Sequence, residues 1–97
     1  MKKVINGKIY NTETACVKAK MDNGYFYGDY HHVTETLYKK KTGEYFLHGT
    51  GGACSRYGDG LSGRENIEPM TEREARKWTE RNCDGDTYIK IFGEVEE

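Results

Sequence analysis

The stretch VTETLYKKKTGEYFLHG, residues 33–49, decides the fold. It contains two runs of β-branched and aromatic residues, and the short segment Lys41-Thr42-Gly43 separates them. Glycine readily adopts the left-handed backbone conformation that a short hairpin loop requires, so Gly43 suits this turn. The pattern therefore predicts two antiparallel strands, at about residues 33–40 and 44–48.

Two segments closer to the N-terminus carry further strand signals. Asn6-Gly7 lies between two short apolar runs in VINGKIY, which predicts a tight hairpin or a sharp turn into the second run. In TETACVKAKM, Ala15, Val17 and Ala19 alternate with less apolar residues, as in a half-buried strand, although a short helix also fits.

The segment MDNGYFYGDYHH, residues 21–32, has no apolar period but is rich in aromatic residues. Its glycines, Asp and Asn interrupt any regular element. We expect an ordered loop whose aromatic side chains pack on the sheet. These side chains are Tyr25, Phe26, Tyr27 and Tyr30.

After the central hairpin, six glycines and the absence of an apolar period predict a loop from Gly49 to Glu68. A helix follows, because Thr71 and Glu74 have the spacing of a capping box. On that helix Ala75 and Trp78 share one face, with Asn82 one turn further on.

The C-terminal segment DGDTYIKIFGEVEE fits two structures. YIKIF has the composition of a strand, but the positions of Tyr88, Ile91, Phe92 and Val95 follow helical spacing, with Asp86 as N-cap. We favour a short helix. The chain of 97 residues is thus predicted to be a single α+β domain, residues 1–97. It combines a small antiparallel β-meander of three to four strands with two C-terminal helices packed on one face.

Composition limits the classes of function. The net charge of −1 predicts no general affinity for nucleic acid or for anionic membranes. The charge is uneven, since residues 1–42 carry a balance of +4 and residues 43–97 a balance of −5. No apolar run resembles a membrane span or a signal peptide, and three cysteines make a disulfide framework improbable, so we expect a cytoplasmic protein without a membrane partner. A chain this small is better suited to binding than to a deep catalytic cleft, so we expect no enzymatic activity.

Three short motifs have a chemical interpretation. GDGLSG at 58–63 matches the spacing of a dinucleotide-binding loop, but RENIEP and not a helix signal follows it. His48 and Cys54 could form a nucleophile pair, although no third group orients them. His48 and Cys54 could instead bind zinc, with Cys83, His31 or His32 completing the site, but no paired ligand spacing announces a closed site. The alternative is structural, with His48 on a strand face and Cys54 and Cys83 as small buried residues.

The aromatic residues at 25–30 and the lysines Lys18, Lys20 and Lys39–Lys41 allow two binding functions. Aromatic residues beside lysines can stack single-stranded nucleic acid. Tyrosine is also favoured at protein–protein interfaces, and without a basic total charge we favour a protein partner. The segment HGTGGACSRYGDG is then a glycine-rich loop with positive φ angles, free to form a contact surface.

Four stretches taken together resemble a family of short proteins that phages and integrative elements of Gram-positive bacteria encode. They are INGKIYNTETA, ETLYKKKTGEYFLHGTGG, PMTEREARKW and YIKIFGEVEE, and they cover most of the chain. The family pattern in the loop is matched at Gly49, Gly51, Gly52, Ser55 and Tyr57, whereas Cys54 lies where that pattern is loose. The family tends to be acidic at positions 89–90, which favours the helical tail, although this chain has Ile89 and Lys90.

The setting of that family is similar to that of anti-CRISPR proteins, which block Cas effectors by binding them. The resemblance implies a non-enzymatic inhibitor from a phage or mobile element that acts in the bacterial cytoplasm. It would occlude a bacterial defence protein, first of all a Cas effector, without a cofactor. The expected contacts are Tyr25, Tyr27, Tyr30, Lys39, Lys40, Lys41, Gly49, Gly51, Gly52, Ser55 and Tyr57. A nucleic-acid-binding accessory protein and a zinc-stabilised interaction module are the alternatives.

Overall fold

The computed structural model describes the whole chain, residues 1–97, as an α+β fold with six strands and two helices. In chain order the elements are β1 (Lys2–Ile5), β2 (Lys8–Asn11), β3 (Cys16–Asp22), β4 (Val33–Lys39), β5 (Tyr45–Gly51), β6 (Arg64–Met70), α1 (Glu72–Asn82) and α2 (Gly85–Phe92). Strands β3 to β6 form one antiparallel sheet in sequential order, and β1 and β2 form a separate hairpin. The predicted architecture is confirmed. Neither helix has the length and apolar character needed to cross a bilayer.

The two faces of the four-stranded sheet are covered by different elements. Side chains alternate along β5, so Phe46 points to the face opposite Tyr45 and Leu47. Helix α1 covers the face of Leu47 and supplies Trp78 to the larger hydrophobic cluster. The β1–β2 hairpin covers part of the other face through Tyr10, which packs with Phe46 in the smaller cluster.

The turns and the first helix cap agree with the sequence. Asn6 and Gly7 both have positive φ, 51° and 77°, as a two-residue hairpin loop requires, and Gly43 has a φ of 95° between β4 and β5. At the start of α1 the backbone N–H of Glu74 donates to Thr71 Oγ1 at 3.1 Å, and the Thr71 N–H donates to Glu74 Oε1 at 2.9 Å. The capping box is therefore confirmed.

The predicted loop from Gly49 to Glu68 is wrong at both ends. Strand β5 continues to Gly51 and β6 begins at Arg64, so the connection contains only residues 52–63. Strand β6 has no apolar period because it lies at the sheet edge and buries only Ile67. Its Pro69 is compatible with an edge strand, where a missing backbone donor is tolerated.

The C-terminal helix is confirmed, but its limits differ from the prediction. Its N-cap is Asp84 and not Asp86, since Asp84 Oδ1 accepts a hydrogen bond from the Thr87 N–H at 2.9 Å. The helix ends before Gly93, whose φ of 95° leaves helical geometry. Val95 therefore lies beyond the helix and is exposed.

Candidate functional site

Glu35 is a buried carboxylate that joins the sheet, α1 and the loop between β5 and β6. It lies on β4 with 5% of its surface exposed. Its Oε1 accepts a hydrogen bond from Trp78 Nε1 at 2.9 Å, and its Oε2 accepts one from the Tyr57 hydroxyl. The Arg56 guanidinium lies 3.4 Å from Oε2 and also forms an ion pair with Glu68 at 3.0 Å. These donors compensate for burying the carboxylate.

Tyr57 and Ser55 point into the protein. The Tyr57 ring occupies the space that a side chain at Gly49 would need. Burial raises the pKa of Tyr57, and its hydrogen bond to Glu35 raises it further. Ser55 Oγ donates to the Gly52 carbonyl oxygen at 2.8 Å and accepts from the Tyr57 N–H at 3.2 Å. Both residues were expected to contact a partner, but their polar groups are satisfied internally.

The glycines of this region are required by close packing. Gly49, Gly51 and Gly52 all lack a positive φ, so the predicted left-handed conformations are wrong at these three positions, whereas Gly60 at the end of the segment has a φ of 88°. A Cβ at Gly51 would overlap the Ser55 side chain, and a Cβ at Gly52 would overlap the Asp29 carbonyl oxygen. These glycines let neighbouring side chains and loops approach the sheet closely.

Residues 23–32, which we call the aromatic loop, connect β3 to β4 and carry the most exposed aromatic side chains. Phe26 is 89% exposed and Tyr27 is 94% exposed, and Tyr25 and Tyr30 are also more than half exposed. The expectation that these rings pack on the sheet is therefore wrong. The loop extends past the end of the sheet, and other residues fill the core on both faces.

Hydrogen bonds within the aromatic loop hold its backbone in place. The Gly24 N–H donates to Asp22 Oδ1 at 2.8 Å, and the His31 N–H donates to Asp29 Oδ1 at the same distance. Asn23 Nδ2 donates to the His31 carbonyl oxygen at 2.8 Å, which closes the base of the loop. The exposed rings are thus displayed from an ordered backbone.

An open cleft of about 530 Å³ separates the aromatic loop from the β5–β6 loop. Tyr27 and Tyr30 line one side, and Leu61, which is 92% exposed, lines the other. Two backbone hydrogen bonds tie the loops together beneath it, from Gly52 to the His32 carbonyl oxygen and from Cys54 to that of Tyr30. One end of the sheet therefore presents exposed aromatic rings and Leu61 on opposite sides of a cleft whose lining is otherwise mostly polar.

The basic turn lies at the other end of β4. Lys40 Nζ lies 3.6 Å from the Tyr10 ring centroid and 3.7 Å from Glu44, and Lys39 lies over the Tyr45 ring, so only Lys41 is free. Strand β4 has seven residues, which places the turn roughly 20 Å from the aromatic loop. The basic turn and the aromatic residues do not form the single face that stacking of nucleic acid between them would require.

The residues considered for zinc binding have other contacts. His48 Nε2 lies 3.1 Å from Glu65 Oε2, Cys54 is exposed, and Cys83 packs against the larger hydrophobic cluster. Burial raises the pKa of the Cys83 thiol. No group of three or more His, Cys, Asp or Glu side chains comes together as a metal site would require.

The GDGLSG segment folds around the side chain of Asp59, which belongs to the segment itself. Asp59 Oδ1 accepts hydrogen bonds from the N–H groups of Leu61 and Ser62 at 2.9 and 2.7 Å, and Asp59 Oδ2 pairs with Arg64 at 2.8 Å. These contacts lower the pKa of Asp59, with the Ser62 N–H as the largest cause. The donors that a phosphate would need are already occupied, and a strand follows the loop.

Two exposed residues were missing from the contacts that the sequence predicted. Phe26 and Leu61 belong to the exposed apolar surface, and Leu61 could have been found because only Gly, Ser and Asp surround it.

No family model, no curated protein and no solved structure matches this chain.

Proposed function

We propose that this protein is a non-enzymatic inhibitor that binds a bacterial defence protein, first of all a Cas effector, and blocks it sterically. The observation that carries the proposal is the cluster of exposed aromatic side chains on the ordered aromatic loop, with the exposed Leu61 across the cleft. Clustered exposed apolar side chains rimmed by polar residues mark interaction sites. Aromatic residues are also the most frequent energetic centres of protein interfaces.

The order of the aromatic loop favours tight binding. Fixing a flexible loop in a complex costs conformational entropy, and a loop already held by hydrogen bonds avoids much of that cost. Phe26 and Tyr27 can enter pockets on a partner, and the adjacent cleft can accept a side chain in return. Compared with the contacts expected from the sequence, the proposed surface keeps Tyr25, Tyr27 and Tyr30 and gains Phe26 and Leu61.

The class of partner comes from the resemblance to proteins of phages and integrative elements. A protein of 97 residues that occupies a surface needed by nucleic acid or by a moving domain can inhibit a much larger effector. No catalytic group is needed for that mechanism. The proposal therefore predicts inhibition at one-to-one stoichiometry, without turnover.

The test uses a panel of purified Cas nucleases from Gram-positive bacteria, each loaded with guide RNA. Binding is measured by size-exclusion chromatography and light scattering, and inhibition by cleavage of a matching DNA target. We expect a stoichiometric complex and loss of cleavage with at least one effector. The double variant F26A/Y27A should weaken binding by about 30-fold or more, since even one interface centre contributes about 2 kcal/mol.

A matched control is available on the β1–β2 hairpin. Val4 and Ile9 pair across it and are 63% and 57% exposed, so V4A/I9A removes comparable apolar surface elsewhere. This variant should bind like the wild type. The proposal is wrong if no effector in the panel is bound and cleavage is unaffected, and the assigned surface is wrong if both double variants lose affinity equally.

A further inference from the structure

The solvent-facing side of α1 carries a straight row of three cations. Arg73, Lys77 and Arg81 are spaced four residues apart, which places them on one face of the helix. Four residues of α-helix rise about 6 Å, so the row is about 12 Å long. This row lies on a different element from the aromatic loop.

The two arginines of the row have no partner within the protein. Arg73 and Arg81 form no ion pair and no side-chain hydrogen bond, whereas each of the other three arginines holds a carboxylate within 4.0 Å. The nearest carboxylate to Lys77 Nζ is that of Glu80, at 3.9 Å, the longest ion pair in the molecule. These three charges are therefore available to an external anion.

A groove of about 340 Å³ runs beside the row. Leu47 and Met70 contribute apolar surface to it, and Arg56 adds a fourth cation from the β5–β6 loop. Two carboxylates also line it, but Glu68 is paired with Arg56 at 3.0 Å and Glu74 accepts a hydrogen bond from the helix N-cap. The four cations of the lining outnumber its two carboxylates, so the groove carries a net positive charge.

We propose that this basic groove binds the phosphodiester backbone of nucleic acid without regard to sequence. Phosphates of one DNA strand recur regularly, about every 3.4 Å along the duplex axis, and each of the three cations in the row can neutralise one phosphate. A straight row of fixed spacing on a rigid helix matches such a repeating anion. Trp78, the aromatic residue beneath the groove, is buried and bonded to Glu35, so no ring is available to stack on a base.

The experiment measures fluorescence anisotropy of a labelled DNA duplex and a labelled single strand of the same length, titrated with the full chain at increasing salt. Non-specific contacts of this kind give dissociation constants of about 10⁻⁴ to 10⁻⁶ M. With about three phosphates neutralised, log K should fall against log salt with a slope of about −3 for the duplex. Binding by the duplex, the single strand or both supports the proposal, and their ratio identifies which form fits the row.

Charge-reversal variants separate the effect of the row on affinity from the effect of the net charge of the protein. R73E/K77E/R81E should lower affinity at least tenfold. K18E/K20E/K41E changes the net charge by the same amount on exposed lysines of β3 and the basic turn, and it should lower affinity no more than about threefold. The variant R73Q/R81Q removes the two arginine charges without introducing negative ones. Circular dichroism and thermal melting of every variant show whether it is folded.

Three results would overturn the proposal. Absence of binding to both nucleic acids at low salt would do so, as would equal losses in the two charge-reversal variants. Tighter binding of a polyglutamate peptide than of either nucleic acid at the same salt would assign the groove to an acidic protein segment. None of these results bears on the aromatic loop, so inhibition of an effector can succeed or fail independently.

Discussion

Two neighbouring loops at the same end of the sheet use their tyrosines in opposite ways. In the β5–β6 loop the ring of Tyr57 is turned inward and lies on Gly49, and its hydroxyl donates a hydrogen bond to Glu35. In the aromatic loop Tyr27 is turned outward and is 94% exposed. Both loops are rich in glycine and both are fixed by internal hydrogen bonds.

The difference comes from the strands beneath each loop and not from the loops themselves. Gly49 leaves a space on β5, and Glu35 on the adjacent strand offers a buried acceptor, so a tyrosine ring can enter there with its hydroxyl satisfied. The aromatic loop leaves the sheet after Asp22, and its Tyr27 ring remains in solvent. A ring that finds neither a space nor an acceptor stays on the surface, where it can contact a partner.

The largest expected effect comes from closing the space on β5. Gly49→Ala keeps an allowed backbone conformation but places a methyl group where the Tyr57 ring lies. The ring must leave, and Glu35 loses a donor. We expect a loss of about 2–4 kcal/mol in the free energy of unfolding, measured by urea denaturation.

A double-mutant cycle tests that explanation. If Gly49→Ala acts by displacing the ring, adding Tyr57→Ala to it should cost much less than Tyr57→Ala alone. Additive losses would show that the methyl group disturbs the sheet and not the tyrosine.

Removing only the hydroxyl should have a smaller effect. Tyr57→Phe keeps the ring on Gly49 but deprives Glu35 of one hydrogen bond, which should lower stability by about 1–2 kcal/mol. Tyr30→Phe makes the same chemical change on the aromatic loop, where the ring is exposed, and should change stability by less than about 0.5 kcal/mol. Equal losses in the two variants would contradict the contrast between the loops.

Tyr57 should also make the free energy of unfolding depend on pH. Burial raises the pKa of Tyr57 in the folded protein, while in the unfolded chain it ionises near its ordinary value of about 10. The stabilisation by its hydroxyl is therefore complete below pH 10 and declines as pH rises further, by at most about 1.4 kcal/mol per pH unit. The stability difference between wild type and Tyr57→Phe should shrink above pH 10. A stability difference that stays constant up to pH 11 would mean that folding does not raise the pKa of the Tyr57 hydroxyl.

The sequence predicted those features that depend on neighbouring residues. The Asn6-Gly7 hairpin, the turn at Gly43 and the capping box of Thr71 and Glu74 each need only a few adjacent side chains, and all are confirmed. Strand β6 was missed because an edge strand that buries a single Ile67 has no periodic pattern.

The site was harder to predict because its contacts join distant positions. Position 49 must be glycine because the ring of Tyr57, eight residues later, fills the space of a side chain there. The Tyr57 hydroxyl in turn bonds to Glu35 on another strand. Exposure of Phe26 likewise depends on where the sheet ends. A local pattern identifies aromatic residues but does not distinguish a ring that fills the core from one left on the surface.

The smallest effect on stability should accompany the largest effect on binding. F26A/Y27A removes two rings that are almost fully exposed, so the free energy of unfolding should change by less than about 0.5 kcal/mol per residue. If the outward loop is the contact surface, this variant melts like the wild type and fails to inhibit the effector, whereas Tyr57→Phe melts earlier and still inhibits. Inhibition that instead follows stability across both variants would mean that the effector contacts the inward loop, and the functional contrast between the two loops would be lost.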